Sequence, residues 1–142
     1  MKNLGNSDYK EVLTDGMRRT FSALTQANKK VIVLLDNPPL PYDPTSCVER
    51  PFRITKKNDQ CSFPREQFDN DKALTDYRTL VKTVTKDFPN IETLDLSTQL
   101  CDEQRCYLSK NGSLLYLDRS HLNAVGSKYV APYLINTIDS IN

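Results

Sequence analysis

Five consecutive apolar residues, Val31-Ile32-Val33-Leu34-Leu35, constrain this chain more than any other feature. Val31, Ile32 and Val33 are β-branched, which favours an extended backbone, and no polar residue interrupts the run. A strand without alternation reads as one covered on both faces, as in a parallel sheet flanked by helices. Asp36-Asn37-Pro38-Pro39 ends it, because proline brings no N–H to a sheet ladder. Upstream, Tyr9, Val12, Leu13, Met17, Phe21 and Leu24 recur at close to helical spacing, so residues 9–28 are expected to be a helix with Ser7 or Asp8 as its cap. The apolar run is far too short to cross a bilayer, and nothing at Met1 reads as a signal peptide.

Residues 40–63 carry no sustained period and include Pro41, Pro44 and Pro51, the pattern of a long ordered loop. A second helix is expected over about 64–87, with Leu74, Tyr77, Leu80, Val81 and Val84 on one stripe and Phe88 just beyond. Pro89-Asn90 stops it, and residues 91–96 form a short strand. Asn111-Gly112, whose residues both tolerate positive φ, predicts a hairpin between residues 106–108 and 114–116. A last helix is expected over 122–141, kinked or divided at Pro132. Helix and strand in alternation indicate an α/β layered sheet, here one domain over residues 1–142.

Charge excludes some partners. Nineteen basic residues face eighteen acidic ones in 142, a net charge of +1 with no block of one sign, so no nucleic-acid footprint is present. Four cysteines, Cys47, Cys61, Cys101 and Cys106, lack the spacing of a zinc ribbon, and His121 is near neither pair. Two local disulfides, Cys47–Cys61 and Cys101–Cys106, are the preferred reading among three connectivities, and they imply an oxidising compartment. Four free thiols in a cytosolic protein are the alternative. Oxidation requires export, which this chain does not itself signal.

Chemistry concentrates in Tyr116-Leu117-Asp118-Arg119-Ser120-His121-Leu122-Asn123-Ala124-Val125-Gly126. A carboxylate three residues before the single histidine can fix the imidazole tautomer through Nδ1 and leave Nε2 free to take a proton from a nucleophile. A turn after a strand is also where α/β folds place reactive groups. Arg119 reads as a solvated turn residue.

Asp118-x-x-His121-Leu122-Asn123-x-x-Gly126, preceded by Leu115-Tyr116, resembles the last block of the SGNH hydrolase superfamily. The resemblance is greatest to the SGNH domains fused to family-three membrane acyltransferases, which O-acetylate bacterial surface polysaccharides. Cys101-Asp102, Cys106-Tyr107 and Asn111-Gly112 follow that family's order, as do strand Val31–Leu35, Pro39 and Cys47, so the likeness covers about the last 110 residues. It implies a three-layer flavodoxin-like SGNH sheet lacking its first strands, the C-terminal part of a complete domain.

The same resemblance makes His121 the general base and Asp118 its orienting partner in a Ser-His-Asp mechanism. The family's nucleophile is a serine in a Gly-Asp-Ser motif. Gly5-Asn6-Ser7 is a superficial echo, with no room before it for the strand that presents the serine, so Ser7 reads as a helix cap and the isolated chain as inactive. Implied partners are an acyl donor, a cell-surface glycan and a parent membrane acyltransferase domain, in a periplasmic or other extracytoplasmic location. No metal or organic cofactor is indicated. An open sheet edge would invite self-association. A non-catalytic glycan-binding or degenerate SGNH module is the alternative, with Tyr42, Phe52 and Phe63 in the proline-rich loop as stacking residues. Non-reduced digests are expected to contain peptides linked Cys47 to Cys61 and Cys101 to Cys106. Free thiols in material from the native compartment would contradict the assignment to an oxidising compartment.

Overall fold

The computed structural model describes residues 6–47 and 61–140, with the side chains of residues 6–8 excepted. The fold mixes helices with small two-stranded sheets and divides into two compact units, one of residues 1–33 and 73–93 and one of residues 34–72 and 94–142. Phe52 and Gly5 lie outside the described residues. Among the described residues, no helix is long and apolar enough to cross a membrane.

In the first unit, helix α1 (Asn6–Gln26) starts early enough to take Ser7 and Asp8 into its first turn. It ends in a left-handed cap: Asn28 has φ 52°, Lys29 N–H donates to Leu24 O and Asn28 N–H to Thr25 O. These paired bonds satisfy carbonyls that a helix end otherwise leaves free. Phe21 of α1, Val84 of α3 (Lys72–Thr85) and Ile91 of β3 (Ile91–Asp95) form the buried centre. Met17, Leu80, Phe88, Val31 and Val33 pack around it. The Phe21 and Phe88 rings meet edge to face at 5.6 Å. Exposed ion pairs Lys10–Asp76 and Arg18–Asp87 join α1 to the α3 region, each worth at most about 1 kcal/mol.

Strand β1 (Val31–Leu35) pairs with β3. Its cover departs from expectation. Val31 and Val33 face the cluster, whereas Leu34, pointing the other way, is 44% exposed. An unbroken apolar run marks a strand that can be covered on both sides, and of the two residues turned the other way Ile32 is half-buried while Leu34 stays open.

The helix expected over 64–87 is two. α2 (Arg65–Asp69) stops at Asn70, and α3 begins at Lys72. Asp69-Asn70-Asp71 are weak helix formers whose side chains compete for backbone groups, and the turn is closed by Asn70 N–H to Glu66 O and Asp71 N–H to Phe68 O.

In the second unit, β2 (Ser62–Pro64) pairs antiparallel with β4 (Arg105–Tyr107), Phe63 opposite Cys106. The bridges Cys47–Cys61 and Cys101–Cys106 are both formed, with Cα separations of 5.2 and 3.9 Å. Asp102 organises the short loop inside the second. Its carboxylate accepts from Gln104 N–H, Arg105 N–H and the Tyr107 hydroxyl. The Tyr107 bond, then the Arg105 and Gln104 amides, pull its pKa down to about 2. Phe63 is buried and presents no stacking face, and the half-buried Tyr42 ties the proline-rich loop to β2 by donating its hydroxyl to Ser62 O.

The hairpin turns at Asn111-Gly112, φ 51° and 76°, but its strands β5 (Ser109–Lys110) and β6 (Ser113–Leu114) lie closer to the turn than expected, because residues 105–107 pair with β2 instead. Helix α5 (Ala124–Ser140) runs through Pro132 undivided. Pro132 is exposed, so water can serve the carbonyl that its missing N–H leaves unpaired.

Asp102 generates an acid-range prediction. A carboxyl whose folded pKa is depressed contributes stability above its ordinary value near 3.8, and that contribution is lost as pH falls through about 2. Thermal melts between pH 5 and 2 are therefore expected to fall less steeply for Asp102→Asn than for the parent chain. Parallel slopes would remove Asp102 from the acid response.

Candidate active site

The site is built where the hairpin hands over to α5. Leu115 N–H donates to Leu108 O, Tyr116 bridges to Leu122, and Leu117 N–H donates to His121 O. Residues 117–121 are thereby closed into a tight exposed turn. Asn123 fixes its exit. Asn123 Oδ1 accepts from Val125 and Gly126 N–H at 2.9 Å each, capping α5. Its Nδ2 donates to Leu114 O at 2.8 Å and Tyr116 O at 3.3 Å, and its N–H donates to Leu115 O. Helix and strand approach so closely that a Cβ on Gly126 would stand 2.0 Å from Leu115 O. Only glycine fits there.

Within the turn, Asp118 Oδ1 accepts from the N–H groups of Ser120 and His121, both at 2.8 Å. His121 Nδ1 lies 2.8 Å from Oδ2 and 3.0 Å from Oδ1. A carboxylate can only accept, so Nδ1 carries a proton, and in the neutral ring the lone pair is on Nε2. The Ser120 and His121 amides, then the His121 ring, hold the Asp118 carboxyl far below the ordinary carboxylate range. Both side chains are open to water, Asp118 53% exposed and His121 73% exposed, so burial does little to oppose the ionised carboxylate. Among the described residues, Nε2 has no hydrogen-bond partner. The Ser120 hydroxyl stands 3.3 Å from Nδ1, on the carboxylate side of the ring, the wrong side for a nucleophile.

The residues after β1 meet this turn. Asn37 Nδ2 donates to Ser120 O at 3.0 Å, Leu40 N–H to Arg119 O at 2.7 Å, and the buried Tyr116 hydroxyl to Pro38 O at 2.9 Å. Burial raises the Tyr116 pKa to about 12, slightly offset by Asn37, so the hydroxyl stays a donor. Arg119, expected to be solvated, donates from Nε to Leu40 O and from Nη2 to Pro41 O. Sequence patterning gave no hint of these partners, which lie about eighty residues away along the chain.

The turn thus joins an Asp-x-x-His pair with an open Nε2 to a helix capped by Asn123. Residues 2–136 match the family described as SGNH domain (fused to AT3 domains). The chain belongs to that family. No curated protein and no solved structure matches it. Membership makes this SGNH domain one of an esterase and acyltransferase type of hydrolase, and its α/β architecture agrees. The two disulfides fit an oxidising compartment.

Asn123 serves structure at the edge of the site, and its loss is expected to cost about 1–2 kcal/mol, the upper part of the range for a helix cap because two carbonyls also lose a donor. Urea unfolding of Asn123→Ala checks this. A change within a few tenths of a kcal/mol would mean water replaces its bonds.

Proposed function

We propose that this SGNH domain is part of an O-acyltransferase or esterase acting on acylated cell-surface glycans, with His121 as general base and Asp118 as the group that orients it. One observation carries the reading: Nδ1 is committed to an ionised Asp118 while Nε2 faces solvent. No serine of the described residues bonds Nε2, so in this reading another segment of the parent protein supplies the nucleophile, and the chain alone is inactive.

The steps follow from that placement. Nε2 takes the proton of the serine hydroxyl as its oxygen attacks the acyl carbonyl carbon. The imidazolium, stabilised by Asp118, returns the proton to the leaving alkoxide as the ester bond breaks, giving acyl-serine. A glycan hydroxyl, or water, then gives its proton to Nε2 as its oxygen attacks the acyl carbon, and the imidazolium returns that proton to the serine oxygen as the acyl-serine bond breaks. The partners in this reading are the acyl donor, the glycan and the parent's membrane acyltransferase domain. The location is the periplasm or another extracytoplasmic space, within a membrane-anchored parent, which suits a doubly disulfide-bonded domain. The flank of β1 away from β3, unpaired among the described residues, is a candidate edge for self-association.

His121→Ala in the intact parent is expected to lower acyl transfer by on the order of 10²–10⁴-fold without changing the melting of this domain. Retained transfer in a folded variant would overturn the catalytic reading and favour a glycan-binding module.

A further inference from the structure

We propose that Arg119 is a positioning residue for the chemistry at His121, acting through residues 37–41. This rests on the reading of His121 as the base. The argument starts from two peptide planes. One contains Arg119 C=O and Ser120 N–H, the other Ser120 C=O and His121 N–H. Asp118 Oδ1 holds both N–H ends, at 2.8 Å. Leu40 N–H and Asn37 Nδ2 hold the two C=O ends, at 2.7 and 3.0 Å. A planar amide cannot turn its N–H without turning its C=O. The direction in which the amides point at Asp118 is therefore fixed from outside the turn, by the segment after β1.

That segment needs its own fastening. It is irregular, with Pro38, Pro39 and Pro41 unable to donate, so few of its backbone groups can secure it. The Tyr116 hydroxyl takes Pro38 O. The Arg119 guanidinium takes the next carbonyls, Leu40 O at 3.1 Å from Nε and Pro41 O at 3.0 Å from Nη2. A planar fork with fixed donor directions holds two successive carbonyls in one orientation, which a lysine ammonium does not. Arg119 thus grips the strip that grips its own peptide. Without the fork, Leu40 N–H and Asn37 lose their register on the turn, the Ser120 and His121 amides swing away from Oδ1, and the carboxylate loses the bonds that aim it at Nδ1.

NMR on the full 142-residue chain tests this without substrate, reading the His121 ring nitrogens for tautomer and the Asp118 carboxyl carbon for titration. In Arg119→Ala, the His121 Nδ1–H tautomer is expected to lose its dominance and the Asp118 titration to move up toward the ordinary carboxylate range. Both changes should persist in about 1 M salt, where the Debye length is about 3 Å and a remote charge is screened. Arg119→Lys, which keeps the charge but not the fork, should fall between Ala and the parent chain. Parent-like nitrogen shifts and titration in Arg119→Ala, in a variant whose amide spectrum is otherwise folded, would overturn the proposal and leave the Asp118 turn self-sufficient. Changes that vanish in high salt would overturn it too, reducing Arg119 to its charge. These signals are independent of turnover, so their failure leaves the role of His121 standing, and inactivity of the base variant is read separately.

Discussion

Asn123 is the constraint on which the site depends. One amide side chain caps α5 through its oxygen and bonds the carbonyls of Leu114 and Tyr116 through its nitrogen. It therefore sets where the strand ends and the helix begins, and the five-residue turn between them has one way to close. Gly126 reinforces this, since the approach of helix to strand leaves no space for a side chain. A histidine on so exposed a loop would ordinarily sample many rotamers. Here the loop's entry and exit are both bonded into secondary structure.

Charge at the site is managed by the backbone instead of by burial. Asp118 is accessible to water, and its ionised form is favoured by two amides and an imidazole in direct contact. Such short bonds persist where long-range fields are screened. Asp102 uses the same device in the loop between Cys101 and Cys106, with a tyrosine hydroxyl in place of the imidazole. One carboxylate thereby orients an imidazole and the other shapes a disulfide-closed loop.

What the sequence disclosed follows from distance along the chain. Asp118 and His121 are three apart and Asn111-Gly112 adjacent, so each could be read within one window, as could both short cysteine separations. The β1 strand was legible as a strand, but an unbroken apolar run does not say which face finds cover, and Leu34 is open. The break at Asn70 was missed because the apolar stripe continues past it, while the local competition of Asp and Asn side chains decides the backbone. Arg119 is the exposed turn residue expected, but its acceptors were not legible, because an exposed arginine in a turn looks the same in sequence whether or not it has them. Its acceptors, Leu40 and Pro41, are 79 and 78 residues away.

That separation has a kinetic side. The turn carrying Asp118 and His121 closes through contacts a few residues long, which form early and at little entropic cost. Its outer frame joins residues 37–41 to 116–120 and requires most of the chain to be folded first. A nascent or partly unfolded chain would thus hold the imidazole and its carboxylate side by side with the amides still free to turn. The final orientation of the pair would then report closure of those long-range contacts, and not merely formation of the loop in which both residues lie.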